Sequence, residues 1–243
     1  MAKKLFVRFS TAQDEQAIFD FYATNQHAFV FQRDPEVWKE RIASGAVTLI
    51  HDAQGKIVAS SISYPVTQTD KNGNEVHQWT ELGSTRVTLD GIGLAKTLVS
   101  AQVLRAYLLE PPNDRFVLEV VLGNAHSKHV FTKMGATSFD IPDALHEKVK
   151  ATIAPGSGQA AVEWFQMGIE IMPGLAKNIL ESEKNPLLKD KKTGEEYELD
   201  FSRCALITQF HDEVKDMALK DLGDVQKPDL SHGVKLFRNR FRP

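Results

Sequence analysis

The sequence predicts a layered α/β (α+β) domain, in which helices cover a central sheet. Three observations support this fold class. Segments with strand-like alternation are separated by segments with apolar residues at helical spacing. A valine-rich apolar run at 116–122 is typical of a strand buried on both faces. A glycine-rich turn at 90–95 joins an expected strand to an expected helix.

The N-terminal half is expected to alternate between strands and helices. Leu5, Val7 and Phe9 alternate with polar residues as in a strand, and Ser10 or Thr11 can cap the helix that follows. A second helix is predicted to begin at Asp34-Pro35 and to end at Gly45. The further elements predicted in this half are strands over 47–51 and 57–64, a turn over 69–75 and a long strand over 77–89.

In the C-terminal half, leucines at helical spacing predict a helix over 94–108 that Pro111-Pro112 ends. A short helix is expected from Asn124 to its stop at Gly135. Residues 161–167 suit a strand or a helix start, and we favour the strand. The remaining predictions are extended chain over 136–141, a helix over 144–153, a flexible break over 154–158, a helix over 173–183, a hairpin over 186–201, a strand over 205–210 and a helix over 211–221.

The composition is that of a globular protein of 243 residues with a formal charge of −3. That charge favours neither nucleic acid nor an anionic membrane as partner. No apolar run approaches the roughly 20 residues of a membrane helix, and the N-terminus lacks signal-peptide features. The single cysteine, Cys204, excludes an internal disulfide and a cysteine-cluster metal site. We therefore expect a reduced, cytoplasmic protein in which Cys204 is buried and is not an acyl-accepting nucleophile.

The turn Asp90-Gly91-Ile92-Gly93-Leu94-Ala95 has two readings. Glycines can simply turn the chain. A glycine-rich loop at a helix N-terminus can also direct several backbone N–H groups, and the positive end of the helix dipole, toward one phosphate.

Together with the helix from Asn124, this turn resembles two signatures of the GCN5-related N-acetyltransferase (GNAT) family. The acetyl-CoA loop of that family runs Gln/Arg-x-x-Gly-x-Gly/Ala, and Gly93 and Ala95 occupy its two small positions, with Asp90 at the leading one. The second signature is Asn-x-x-Ala, then Tyr, then Gly in one short helix. Its four positions are held here by Asn124, Ser127, Phe131 and Gly135.

The resemblance implies the GNAT acyl-CoA N-acyltransferase fold, a central mixed and mostly antiparallel sheet flanked by helices, for residues 1–168. Residues 169–243 would be a C-terminal extension that packs on the core, or else a lobe that shapes the substrate site. The co-substrate implied is acetyl-CoA, and no metal is expected. The residues expected to bind it are Arg86 and Val87 through main chain, Gly91, Ile92, Gly93, Leu94 and Ala95 at the pyrophosphate, and Asn124, Ser127 and Phe131 along the pantetheine arm.

Asp90 departs from the family pattern, because a carboxylate repels a pyrophosphate. We expect it to turn outward and cap the helix, the alternative being compensation by Lys96. Phe131 also departs, since many family members have a tyrosine there that protonates the departing thiolate. That role is vacant, filled by water, or moved to a residue such as His126 or His129.

Acetyl transfer to an amine requires a proton acceptor, because only about one alkylamine in a thousand is neutral at pH 7. Glu81, on the strand before the glycine turn, is the first candidate for this base. Glu119 is the second, since it interrupts an otherwise apolar strand, and His77 is the third. A structural ion pair is the competing interpretation for each glutamate.

The function predicted is therefore an acetyl-CoA-dependent N-acetyltransferase that acts on a small-molecule or protein amine. The alternative is a GNAT-fold module without catalysis that recognises acyl-CoA or a partner. Basic and aromatic residues interleave in the tail 235–243. We expect this tail to dock on the acidic protein itself or on a sister subunit of a homodimer, with nucleic-acid binding as the second reading.

Overall fold

The computed structural model describes residues 2–27, 30–31, 33–89, 91–110, 115–151, 153 and 160–220. Within these residues, nine strands form one sheet. The strands are β1 Lys3–Phe9, β2 Val47–Asp52, β3 Ile57–Thr69, β4 Glu75–Val87, β5 Arg115–Val121, β6 Thr137–Ser138, β7 Val162–Gly168, β8 Leu187–Lys189 and β9 Glu196–Asp200. The helices are α1 Glu15–Thr24, α2 Pro35–Ala43, α3 Leu94–Leu109, α4 Ala125–Lys133, α5 Asp143–Lys150, α6 Met172–Lys184, α7 Ala205–Thr208 and α8 His211–Leu219.

The strand order is β6-β7-β5-β4-β3-β2-β1-β9-β8. Only the pairs β4–β5 and β1–β9 are parallel, and the other neighbours are antiparallel. The prediction of a mixed, mostly antiparallel sheet flanked by helices is therefore confirmed.

Helices cover both faces of this sheet. On one face α3 lies across β2, β3 and β4, and α6 packs on α3. Because α3 is covered by the sheet on one side and by α6 on the other, eleven of its sixteen residues are buried. The opposite face is covered by α1 and α2, whose apolar residues pack on β2 and β3, and by α5, whose Leu145 and Val149 pack beside Trp164.

The strands and helices predicted up to residue 201 are present, with ends that differ by a few residues. The strand predicted over 205–210 is wrong, since this segment is helix α7. The backbone N–H of Thr208 donates to the carbonyl of Cys204, and the N–H of Gln209 donates to that of Ala205. So short an apolar run fits a strand and a buried helical turn equally well, and packing of Leu206 and Cys204 in the core favours the turn.

The described part of the C-terminal extension joins the same sheet. β9 pairs in parallel with β1, and β8 pairs with β9 as the predicted hairpin. Cys204 is fully buried in the core beside these elements. The break at 154–158, Pro111-Pro112 and the tail 235–243 lie outside the described residues. None of the described helices has the length and apolar character needed to cross a membrane.

Candidate active site

The two parallel strands at the centre of the sheet separate after a short contact. β4 and β5 pair only at Thr80–Phe116 and Glu81–Val117. Beyond Glu81, β4 stays paired with β3 as far as Val87, and β5 stays paired with β7 as far as Val121. A gap therefore opens between β4 and β5 toward their carboxyl ends.

A β-bulge in β4 accompanies this separation. Ile62 of β3 pairs with Gly83 and Ser60 pairs with Arg86, so two steps along β3 correspond to three along β4. Within the bulge Ser84 has φ of +49°, the sole positive φ at a non-glycine position among the described residues. Such a conformation costs energy and persists where neighbouring groups hold it.

Helix α1 provides one of the contacts that hold the bulge. The hydroxyl of Tyr22 donates to the carbonyl of Ser84 and also lies 3.1 Å from Oγ of Ser60. Oγ of Ser61 lies 2.9 Å from Oγ1 of Thr85 across the two strands. The gap is thus fixed by hydrogen bonds from α1 and β3.

A cavity of about 500 Å³, including its open mouth, lies at the gap. Five residues predicted from the sequence line it together: Glu81, Glu119, Asn124, Ser127 and Phe131. Its other lining residues include Arg33, Ser84 and Thr85, which were not predicted. The cavity therefore brings the two candidate bases next to the helix that carries the second signature.

Glu81 is held by a buried ion pair. Nη2 of Arg33 donates to Oε1 of Glu81, and the two side chains are only 2% and 1% exposed. The Arg33 guanidinium also lies 4.7 Å from the centre of the Tyr64 ring. Burial raises the pKa of the Glu81 carboxyl, and the positive charge of Arg33 opposes that shift. The sequence carried no sign of this pair, since its members are 48 positions apart.

Glu119 lies on the same face of the sheet, and its environment differs. Its Oε2 is buried and has no hydrogen-bond partner among the described residues. Burial and, after it, the nearby carboxylate of Glu81 together raise the pKa of Glu119 to about 7, against the opposing effects of Arg33 and Lys150. A carboxyl group with a pKa near neutrality can both accept and return a proton.

A second cavity, of about 1060 Å³, borders the first. Glu119 and Phe31 line both cavities. The second cavity lies against α5 and β7, with Trp164, His146 and Lys150 in its wall. Glu119 is therefore placed at the border between the two cavities.

The glycine loop follows β4 and does not line either cavity. Gly91 and Gly93 have φ of +80° and +88°, and a Cβ placed on either would meet no atom within 4 Å. The side chains of Ile92 and Leu94 point into the core. Around Gly91 and Gly93 the described residues thus leave open space, as a phosphate-binding loop requires. Asp90 lies outside the described residues.

Helix α4 begins beside the gap. Oδ1 of Asn124 accepts a hydrogen bond of 3.1 Å from the N–H of Ser127 and caps the helix. Phe131 is buried, and no hydroxyl is present at its position. His126 and His129 are exposed. Because α3 follows β4, α4 follows β5 and the two strands are parallel, the glycine loop and the start of α4 both lie at the carboxyl ends of these strands.

The other candidates lie elsewhere. His77 lines a groove beside the β3–β4 hairpin, and its Nε2 is 3.1 Å from Oγ1 of Thr80. Arg86 and Val87 lie on β4 between the bulge and the glycine loop and line neither cavity.

No protein-family model matches this chain, and no curated protein matches it. Its fold is similar to that of several solved structures. They include yncA of Salmonella typhimurium, solved with its cofactor acetyl-CoA (16% identity, 68% of this chain and 93% of that chain, TM-score 0.49). A second is the phosphinothricin acetyltransferase of Sinorhizobium meliloti in complex with acetyl-CoA (14% identity, 69% of this chain and 89% of that chain, TM-score 0.48). A third is the ribosomal-protein-alanine N-acetyltransferase of Brucella melitensis (16% identity, 67% of this chain and 98% of that chain, TM-score 0.47). At these identities the likeness concerns the fold alone.

Proposed function

We propose that this protein is an acetyl-CoA-dependent N-acetyltransferase of the GNAT type. The observation that carries the proposal is the gap between β4 and β5, which has the glycine loop at its open end and two buried carboxyl groups at its closed end. The order of strand, glycine loop, long helix, strand, asparagine and short helix supports it as well.

The residues around the gap fit the three parts of coenzyme A. The amides of the bend from Gly91 to Ala95 and the N-terminus of α3 suit its pyrophosphate, because the described residues leave open space at Gly91 and Gly93. The edge of β4 at Arg86 and Val87, unpaired on the β5 side, suits the amides of the pantetheine arm. Asn124, Ser127 and Phe131 would flank the end of that arm. When bound, acetyl-CoA supplies an acetyl group activated as a thioester.

Glu119 is the residue we propose as the proton acceptor. It reaches both cavities, whereas the charge of Glu81 is engaged by Arg33. An alkylammonium has a pKa near 10 and no free lone pair, so a carboxylate beside it must take one proton before the nitrogen can attack the thioester. Glu81 then has a positioning role, since its charge helps to keep the pKa of Glu119 near neutrality.

Isothermal titration of the full chain with acetyl-CoA tests the proposal, followed by thiol release with a panel of amines. We expect binding in the micromolar range and release of one thiol for each amine acetylated. Absence of heat at millimolar acetyl-CoA would contradict the enzyme.

A binding module without catalysis is the second candidate, because Phe131 cannot donate a proton to a departing thiolate. Acetyl-CoA binding without thiol release across the whole amine panel would favour that module.

Replacing Gly93 by alanine is expected to weaken acetyl-CoA binding at least tenfold. Alanine at a left-handed position costs roughly 1–2 kcal/mol of folding stability, and its methyl group would occupy the space offered to the pyrophosphate. Gly73 is a matched control, since it has φ of +82° and open surroundings in the β3–β4 hairpin. Gly73→Ala should lose similar stability in calorimetry and keep the wild-type Kd. Equal Kd values for both variants would exclude the loop from the coenzyme site.

We further propose that residues 1–168 form the catalytic domain and 169–243 an extension that packs on it. Among the described residues, none beyond Trp164 lines either of the two cavities at the gap. That placement supports a packing role over a substrate-binding lobe. A cytoplasmic location remains part of the proposal and agrees with the buried thiol of Cys204.

A further inference from the structure

The second cavity is chemically asymmetric. One wall is apolar and aromatic, formed by Trp164, Val162 and Phe31. The carboxyl group of Glu119 lies at the border with the first cavity. Lys150, in the last turn of α5, supplies a positive charge to the same space. A ligand that fills this cavity meets a proton acceptor, an apolar surface and a cation.

Lys150 is available to an incoming anion. Among the described residues its one ion pair is with Glu147, one turn away, at 3.5 Å, and the two side chains are 49% and 73% exposed. An exposed pair of this kind contributes little and can be exchanged for a better partner. Lys150 also acts electrostatically on Glu119, so the two groups face a common region.

The aromatic wall is held in place by its neighbours. Trp164 is buried, pairs across the sheet with Glu119, and meets the ring of His146 edge-on at 5.6 Å. A rigid aromatic surface next to the reacting amine favours a substrate with an apolar side chain, because the tryptophan ring is already ordered and loses little conformational entropy on binding.

Resting on the proposed acetyl transfer, we propose that the acceptor is a small amine with an apolar or aromatic body and a carboxylate, as in an apolar α-amino acid. The amine lies at Glu119, the body packs on Trp164, and the carboxylate pairs with Lys150. Glu119 first takes one proton from the ammonium group. The nitrogen lone pair then bonds to the acetyl carbonyl carbon, the carbon–sulfur bond breaks with its electron pair on sulfur, and the second proton leaves the nitrogen and reaches the thiolate through solvent. A polycation is disfavoured by Lys150, and a peptide N-terminus lacks the carboxylate.

The experiment compares phenylalanine, leucine and tryptophan with their carboxamides, which differ only in the missing negative charge. We expect the wild-type chain to favour each acid in kcat/KM by tenfold or more. The amines of the carboxamides are less basic, so a larger fraction of them is neutral and able to react near pH 7. Intrinsic reactivity therefore favours the carboxamides, and a preference for the acids must come from binding. Lys150→Gln should abolish the preference by lowering kcat/KM for the acids to that for the amides. Lys148→Gln, the same charge change on the same helix outside the cavity, should keep the preference.

The outcomes separate the two proposals. Equal use of acids and amides, or thiol release only with polyamines or peptides, overturns the carboxylate site and leaves acetyl transfer standing. If acetyl-CoA neither binds nor reacts, acetyl transfer fails, and titration of the free chain with phenylalanine decides the site. The carboxylate site at Lys150 would stand if Lys150→Gln weakens phenylalanine binding tenfold and Lys148→Gln does not. If phenylalanine does not bind, that site is overturned.

Discussion

Glu119→Gln is expected to abolish acetyl transfer and, above pH 7, to make the folded chain more stable. Removing a general base from an active site costs about 10²–10⁴-fold in rate. The same carboxyl group is buried with one oxygen that has no partner among the described residues, so its ionised form is destabilised by the fold. Loss of function and gain of stability from one substitution would distinguish a catalytic carboxylate from a structural one.

The pH dependence of this stability follows from the pKa of Glu119. Its value rises from 4.5 in the unfolded chain to about 7 in the folded one. The folded state therefore holds the proton more tightly than the unfolded state does. The resulting contribution of Glu119 to folding stability is fully present below pH 4.5 and is lost as the pH rises through 7. Since each pKa unit corresponds to about 1.4 kcal/mol, the glutamine variant should be more stable than wild type by roughly 1–3 kcal/mol at pH 8. The difference should shrink toward pH 5.

Urea unfolding at pH 5 and pH 8, together with thiol release at pH 8, measures both effects. Glu163→Gln is the control, because Glu163 lies on the neighbouring strand β7 in an exposed pair with Lys128. That variant should change the free energy of unfolding by less than about 1 kcal/mol at either pH. A Glu119→Gln variant that keeps its activity, or that unfolds more easily at pH 8, would contradict the assignment.

Arg33→Met is expected to destabilise the fold more than any other substitution considered for this chain. It leaves the buried carboxylate of Glu81 without its cation, and breaking one side of a buried pair costs about 3–5 kcal/mol. The double variant Arg33→Met/Glu81→Leu removes both charges and should recover most of that loss. Removal of Glu81 can restore stability only if the loss in Arg33→Met comes from the unpaired charge of Glu81.

A double-mutant cycle in urea at pH 8 measures this coupling. The exposed pair of Lys128 and Glu163 is again the reference, and Lys128→Met should cost less than about 1 kcal/mol. The double variant loses Glu81, which raises the pKa of Glu119, and Arg33, which lowers it; since the effect of Glu81 is the larger, the pKa in the pH–rate profile should fall. Equal losses for the single and double variants would show that Arg33 contributes by packing alone.

Much of the fold could be predicted because the relevant signals are local. The alternation at Leu5, Val7 and Phe9, the proline at the start of α2 and the glycines before α3 each act within a few residues. The segment 205–210 was mispredicted because four apolar residues fit a strand and a helical turn equally well, and burial of Leu206 decides between them.

The site could be predicted only in part. Asn124, Ser127 and Phe131 have a spacing that one helix imposes, and the structure places them together at one cavity. Glu119 stood out as a charge in an apolar strand. Arg33 gave no signal, because an arginine in a connection between two helices is usually solvated, and only the fold brings it against Glu81.

The amino-acid sequence by itself determined the sheet and helices, the glycine bend before α3, and the presence of two glutamates on neighbouring strands. The tertiary structure alone decided which glutamate is paired with Arg33 and which is left with a pKa near neutrality. The physical reason is that the free energy of a buried charge depends on the groups packed around it. Those groups come from the connection between α1 and α2, which carries Arg33, from α5, which carries Lys150, and from β7, and these segments are distant in the chain and meet only in the folded protein.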